Sequence, residues 1–151
     1  MKSVLLLALI LAATCTDYLS TSRDATITYY TTAKSADVAC QLGNYIGKDF
    51  YRAAASEYFY MNSAQCGVCY ELTGEKGSIK VQITDKCPAD SAHCGDKDKV
   101  HFDLDEEGFP YLCDKVKGIC PVTYRMIPCK VDGGVSVKIK EGVIFLFFNL
   151  F

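Results

Sequence analysis

The sequence of 151 residues has no excess of basic charge and no N-x-Ser/Thr sequon. Sixteen Lys and Arg residues stand against eighteen Asp and Glu residues, so the net charge is −2 and no basic stripe exists. A nucleic-acid partner is therefore not expected, nor is N-glycosylation. An apolar content of 50% argues against disorder. The length suits one domain of ordinary size.

No apolar run is long enough to cross a membrane. The longest, Val4–Ala13, has ten residues, whereas a spanning helix needs about 20. Lys2 precedes this run and small residues follow it, the pattern of a secretory signal peptide. We predict that residues 1–15 are removed after Cys15. The protein is then expected to be secreted and extracellular, without a stable membrane anchor.

Nine cysteines are too many for a resting cytosolic protein. The odd number is explained if Cys15 leaves with the signal peptide, since nine minus one is eight. Eight cysteines allow 105 pairings. Cys87 and Cys94 enclose six residues, as do Cys113 and Cys120, so each pair could close a local loop.

A metal site is the rival interpretation of the cysteines. Cys66–Cys69 has CxxC spacing, but zinc sites need a second pair at a matching short spacing, which Cys87 and Cys94 do not supply. A redox CxxC motif would need a βαβ context. We therefore expect disulfides, with no metal and no cofactor.

Short runs of β-branched and aromatic residues, separated by turn signals, predict a mostly β domain. The predicted strands are Ala25–Thr32, Val68–Leu72, Ser78–Thr84, Pro121–Pro128 and Val135–Lys140. The second and third of these alternate apolar and polar residues and favour a hairpin. Two segments favour helices: Tyr51–Met61, which contains good helix formers, and Asp105–Cys113, which has an acidic first turn.

Two aspartates follow β-type apolar residues and precede a turn or helix, namely Asp85 and Asp103. This placement holds a carboxylate at the rim of a sheet, where it can face a groove. Phe102 and Leu104 flank Asp103, so we expect partial desolvation. Desolvation raises the pKa of a carboxyl and suits it to donate a proton or a hydrogen bond. The alternative is that Asp103 caps a helix beginning near Asp105.

Six segments in order resemble the expansin family. They are Thr28–Tyr30, Cys40–Tyr45, Ala64–Leu72, Gly77–Asp85, His101–Leu104 and Gly118–Cys129. The resemblance implies an all-β fold, a six-stranded double-psi β-barrel with short helices that is stapled by disulfides and carries an open polysaccharide groove. It also implies bridges from Cys40 to Cys66 and from Cys69 to Cys129, which leaves the two local pairs.

The resemblance further implies a non-hydrolytic protein that loosens cell walls by disrupting contacts between cellulose and matrix glycans. Cell-wall polysaccharide is then the expected partner of a monomer. Carried over residue by residue, Asp103 matches the essential, catalytic acidic residue of the groove and Asp85 a second carboxylate. Thr28 matches a threonine near Asp103, and Tyr30 a sugar-stacking residue. Cys87 stands where some members have an aromatic residue, so that contact is not expected.

Two other functions are compatible with the same barrel. One is glycoside hydrolysis, as in family 45 endoglucanases, where an inverting enzyme needs an acid and a base about 6.5–9.5 Å apart. Asp103 could be the acid, but Ile27–Ala33, where that family has its base, contains no carboxylate. Asp24 and Asp37 flank this stretch without occupying the matching place, so hydrolysis is not expected. The other is a barwin-like carbohydrate-binding module without activity, which would not need Asp103.

The predicted organisation is a signal peptide at 1–15, a barrel domain at 24–130 and a second-domain remnant at 131–151. Gly133–Gly142 resembles the first strand and turn of the β-sandwich domain that follows in the family. Since tryptophan is absent, the family's flat aromatic platform for cellulose is expected to be missing. Three interpretations of Val143–Phe151 are open: an exposed, aggregation-prone strand, a buried final strand, or translated non-coding sequence.

Overall fold

A computed structural model describes residues 21–31, 38–42, 46–130, 135–140 and 143–148. The strands are β1 Arg23–Tyr30, β2 Tyr51–Ser56, β3 Cys69–Thr73, β4 Ser78–Cys87, β5 His101–Asp105, β6 Cys120–Ile127, β7 Cys129–Lys130, β8 Val135–Lys140 and β9 Val143–Phe148. The short helices are α1, at Glu57–Tyr60, and two 3₁₀ turns at Phe109–Tyr111 and Lys115–Lys117. The predicted signal peptide lies outside the described residues.

Six strands close into a barrel in the order β1-β5-β2-β4-β3-β6. The β1–β5 and β2–β4 pairs are parallel, and the remaining pairs are antiparallel. The prediction of an all-β, double-psi barrel is confirmed, as is the hairpin, which β3 and β4 form. Strands β7, β8 and β9 make a second, antiparallel sheet. The assignment of 131–151 to a second-domain remnant stays a prediction.

The helix predicted over Tyr51–Met61 is mostly a strand. Residues 51–56 form β2 and only Glu57–Tyr60 is helical. Helix propensity is a weak preference, and here β2 hydrogen-bonds to β4 on one side and β5 on the other. Ala53 and Ala55 are fully buried inside the barrel. Their small side chains leave its interior to larger neighbours.

The helix predicted over Asp105–Cys113 is also wrong. Asp105 ends β5, and only a 3₁₀ turn at Phe109–Tyr111 follows. Gly108 and Pro110 limit any regular helix here, since glycine lowers helix propensity and proline is confined to the first turn. Gly108 also packs closely, because a Cβ there would lie 3.0 Å from the ring of Tyr51.

The barrel interior contains a cluster of four aromatic rings, Phe59, Tyr70, Phe102 and Tyr124. All six pairings of these rings have centroids 5.4–5.7 Å apart, in tilted or edge-to-face arrangements. Such pairs contribute about 0.5–1.5 kcal/mol each beyond the burial of their area. Phe102 therefore anchors β5 from inside, which fixes the residues on either side of it along the strand.

Four disulfides join the described cysteines. They are Cys40–Cys66, Cys69–Cys129, Cys87–Cys94 and Cys113–Cys120. These are the two bridges that the resemblance implied and the two local pairs. The first two close loops with sequence separations of 26 and 60. In the chain-entropy description, loops of this size are worth about 3–4 kcal/mol each.

One extra residue interrupts the pairing of β2 with β4. Ala53 pairs with Ile83 and Ala54 with Asp85, so Thr84 has no partner across the pair. A bulge of this kind reverses the alternation of side chains beyond it. Ile83 is buried in the core, and without the bulge Asp85, two residues later, would point inward as well. The bulge turns Asp85 to the outside of the barrel.

We expect Thr84→Val to stabilise the protein. The Thr84 hydroxyl is buried and finds no hydrogen-bond partner within the described part of the chain. An unsatisfied buried hydroxyl costs about 1–3 kcal/mol, and an apolar group of the same shape avoids this cost. The free energy of unfolding, measured in urea, should rise by about 1 kcal/mol.

The control is Thr73→Val. Thr73 is an exposed strand threonine whose hydroxyl lies 2.8 Å from that of Ser78, so its substitution should give no gain. A lower stability for Thr84→Val than for the unmodified chain would contradict the prediction.

Candidate functional site

Four strands bring Asp85, Ala54, Asp103 and Thr28 into one row across the outside of the barrel. Ala54 pairs with Asp85 on one side and with Asp103 on the other, and Asp103 pairs with Thr28. We call these four residues the carboxylate row. Neighbouring strands lie about 4.8 Å apart, so the backbones carrying the two carboxylates are about 10 Å apart. Tyr30 packs against the small cluster of Ala54, Cys87 and Cys94.

Asp103 is a half-buried carboxylate with one tightly held oxygen. The Thr28 hydroxyl donates a hydrogen bond of 2.7 Å to Asp103 Oδ1. Burial raises the pKa of Asp103, while the Thr28 hydrogen bond and nearby His93 oppose this and Asp85 adds to it. The expected desolvation is thus present. Asp103 lies within β5, paired on both sides, so the helix-cap alternative is wrong.

Three donors hold the second carboxylate, Asp85. Its Oδ1 accepts the backbone N–H groups of Ala39 at 2.9 Å and Lys86 at 2.8 Å. Its Oδ2 accepts the hydroxyl of Tyr30 at 3.3 Å. Burial and the negative charge of Asp85 raise the pKa of Tyr30, so the phenol stays protonated and remains a donor.

A buried histidine lies beside Asp103. His101 is 1% exposed, and its ring nitrogens contact two threonine hydroxyls: Nδ1 that of Thr26 at 2.7 Å and Nε2 that of Thr28 at 2.9 Å. Burial, and secondarily the charge of His93, lowers the pKa of His101 to about 4. His101 is therefore neutral at the pH of most extracellular fluids.

His93 brings a second imidazole close to the row. Its exposed ring lies 5.8 Å from that of His101, centroid to centroid. The loop that carries it is closed by the bridge between Cys87 and Cys94, which also packs against Ala54. When charged, His93 favours the ionised form of Asp103.

Neither a metal cluster nor a membrane span is found in the described ranges. No group of three or more His, Cys, Asp or Glu residues there could hold a metal ion. No helix there is long and apolar enough to cross a bilayer.

Comparison with known proteins now identifies the family. The model of the expansin N-terminal domain matches residues 1–124. This chain belongs to the expansin family. It is 32% identical over 144 residues to expansin-like protein 3 of Dictyostelium discoideum, which covers 93% of this chain and 42% of that protein. The chain therefore spans less than half the length of that relative.

Solved structures agree with this assignment. A mutant of Clavibacter michiganensis expansin, in complex with cellohexaose, matches with a TM-score of 0.61 and 28% identity, over 81% of this chain and 58% of that chain. A β-1,4-D-endoglucanase, Cel45A of the blue mussel Mytilus edulis, matches with a TM-score of 0.54 and 18% identity, over 73% of this chain and 81% of that chain. The second likeness concerns the fold alone.

All four groove residues assigned from the expansin resemblance come together. Thr28, Asp85 and Asp103 lie in the carboxylate row, and Tyr30 lies against it.

Sequence reasoning missed other residues of this expansin site. The resemblance gives no separate role to His101, although its position two residues before Asp103 on a strand places both on one face. Ala54 was missed because its segment was predicted to be a helix. The position of His93 beside His101 depends on the path of the loop between Cys87 and Cys94. The spacing of residues in the sequence does not reveal that path.

We predict that His101 makes the protein less stable in acid. Its pKa is about 4 in the folded protein against an ordinary 6.5. Below pH 6.5 the unfolded chain therefore binds a proton that the folded chain does not, and stability falls as the pH drops from about 6.5 to about 4. His101→Gln removes this titration. Urea unfolding across that range should show a smaller loss in the variant.

The matched control is His93→Gln, which removes the exposed histidine of the loop and should keep most of the acid-dependent loss. If the stability of His101→Gln changed with pH in parallel with that of the unmodified chain, the prediction would be wrong.

Proposed function

We propose that this expansin loosens cell walls without hydrolysing them, and that Asp103 is the group on which loosening depends. Glycan chains are held together largely by hydrogen bonds between hydroxyls. A carboxylate is a stronger acceptor, since charge-assisted hydrogen bonds are about twice as strong as neutral ones. A groove that offers Asp103 to a sugar hydroxyl therefore competes with the neighbouring glycan for that hydroxyl.

The observation that carries the proposal is the hydrogen bond from Thr28 to Asp103 Oδ1. The group of β1 that lies beside Asp103 is thus the hydroxyl of Thr28 and not a second carboxylate. Inverting hydrolysis needs a base that activates water opposite the acid, and the residues of β1 at and around this point, Thr26, Thr28 and Tyr30, have no carboxyl group. The groove can bind and exchange hydrogen bonds, but these three positions of β1 supply no base.

Glycoside hydrolysis is the second candidate, and one observation favours it. Asp85 and Asp103 lie on either side of Ala54, with backbones about 10 Å apart, near the separation used by inverting enzymes. Against it, the oxygens of Asp85 already accept three hydrogen bonds from the protein. Asp85 is thus held as a structural acceptor, which is a poor arrangement for taking a proton from water.

We infer a secreted monomer, with residues 1–15 as signal peptide and cell-wall polysaccharide as partner. Four disulfides support an oxidising compartment. An inactive, barwin-like binding module would use the same groove, but its binding would not depend on the charge of Asp103.

We expect Asp103→Asn to abolish loosening without unfolding the protein. Asparagine keeps the shape of the side chain and an oxygen that accepts from Thr28, but removes the charge. Because burial raises the pKa of Asp103, its ionised form costs stability at neutral pH, and the variant should be at least as stable there. Wall extension under constant load should fall at least about tenfold, the effect of about 1.4 kcal/mol.

The matched control is Asp114→Asn, which removes an exposed aspartate paired with Lys76 and should leave wall extension unchanged. A reducing-sugar assay runs beside both variants. Sugar release that disappears with Asp103→Asn would establish hydrolysis instead. Undiminished glycan binding by Asp103→Asn, with no wall extension by either the variant or the unmodified chain, would favour the inactive module. Undiminished extension by Asp103→Asn would contradict the proposed role of Asp103.

A further inference from the structure

Four side chains on two parallel strands form a continuous chain of hydrogen bonds. Thr26 pairs with His101 and Thr28 with Asp103 across β1 and β5. The contacts run from Thr26 Oγ1 to His101 Nδ1 (2.7 Å), from His101 Nε2 to Thr28 Oγ1 (2.9 Å) and from Thr28 Oγ1 to Asp103 Oδ1 (2.7 Å). We call these four residues the threonine–histidine relay.

Counting hydrogens fixes the direction of every bond in the relay. An ionised carboxylate only accepts, and a hydroxyl has one hydrogen, so the hydrogen of Thr28 goes to Asp103. His101 Nε2 must then carry the hydrogen that Thr28 accepts. A neutral imidazole has a single N–H, so Nδ1 is an acceptor and takes the hydrogen of Thr26. One arrangement therefore satisfies all three contacts.

This arrangement requires a neutral imidazole, and His101 provides one. Its ring is buried, and its pKa of about 4 keeps it neutral. The other ionisable groups around Asp103 are Tyr30 on β1, His93 on the disulfide loop and Asp85 on β4. Tyr30 stays protonated, and the charges of His93 and Asp85 act in opposite directions on the pKa of Asp103. None of the three forms a hydrogen bond with the relay among the described residues.

We propose that His101 is a positioning residue, which holds the Thr28 hydroxyl as an obligate donor to Asp103 Oδ1 and leaves Oδ2 for a glycan hydroxyl. In the described part of the chain Oδ2 receives no hydrogen bond, whereas Oδ1 is occupied by Thr28. If Nε2 lost its hydrogen, Thr28 could turn its own toward His101 instead. Asp103 would then lose its donor in a desolvated position, and its pKa would rise.

The role in glycan binding rests on the function proposed above, but the relay itself has its own test. Thr26→Val removes the hydroxyl at the far end, which touches neither Thr28 nor Asp103 in the relay. If His101 had a purely structural role, Thr26→Val would change only the stability of the protein. A relay predicts two further changes: the Nδ1–H tautomer of His101 appears, and the pKa of Asp103 rises.

The experiment is an NMR titration of the full chain without glycan. Nitrogen-15 shifts of His101 report its tautomer, and the carboxyl carbon of Asp103 reports its pKa. In the unmodified chain we expect the Nε2–H tautomer. In Thr26→Val we expect a mixture of tautomers and an Asp103 midpoint raised by about one pH unit, the scale of a hydrogen bond to a charged group. Thr26→Ser should restore the original values, and Thr73→Val should not change them.

Two variants of the histidine keep the proposal testable if Thr26→Val does not fold. The amide of His101→Gln can donate to Thr28 and accept from Thr26, so the Asp103 midpoint should stay near its original value. His101→Leu can do neither, and the midpoint should rise. Equal midpoints in the two variants, or an unchanged tautomer and midpoint in Thr26→Val, would overturn the relay.

These readouts separate the relay from the proposed function. The tautomer of His101 and the pKa of Asp103 are measured without glycan. They therefore test the relay even if Asp103→Asn fails to reduce wall extension. Conversely, an unchanged Asp103 midpoint in Thr26→Val overturns the relay even where Asp103→Asn abolishes extension.

Discussion

The alternation of side chains along a strand, broken once at Thr84, is the constraint on which the site depends. Successive residues of a strand point to opposite sides, so Ile83 and Asp85 would share the interior if β4 were regular. The extra residue reverses the alternation beyond it and places Asp85 beside Ala54 and Asp103. The local cost is the buried hydroxyl of Thr84, which has no hydrogen-bond partner among the residues that the structure describes.

The site also keeps the carboxylate of Asp103 partly removed from solvent. Burial raises the pKa of Asp103, and the surrounding groups limit the effect rather than remove it. Thr28 supplies a hydrogen bond to the carboxylate, and His93 acts in the same direction through its charge. A desolvation cost of this kind is typical of functional sites, where some stability is lost in exchange for activity. The barrel core, with Phe102 directly between His101 and Asp103 in sequence, provides the rigidity that tolerates it.

The mostly β character and the hairpin could be predicted from local pattern, whereas the six-stranded barrel and the role of Asp103 were implied by the ordered motifs that resemble expansins. The hairpin follows from alternation, and Asp103 from its setting between Phe102 and Leu104. Residues 51–56 were mistaken for a helix because alanine favours helices locally, whereas pairing with two strands distant in sequence decides the outcome. The same holds for the bulge at Thr84: only the register between β2 and β4 reveals it, and no property of a single segment encodes that register.

The partners of β1 impose an order on folding. Arg23–Tyr30 comes first among the barrel strands but pairs only with β5 and β6, which end at Asp105 and Ile127. A chain emerging from its N-terminus therefore carries an unpaired first strand until almost the whole barrel has been synthesised. Closing such distant contacts is slow, and an open strand edge invites association with other chains in the meantime. The residues that build the relay with β5 are thus among the last to find their neighbours.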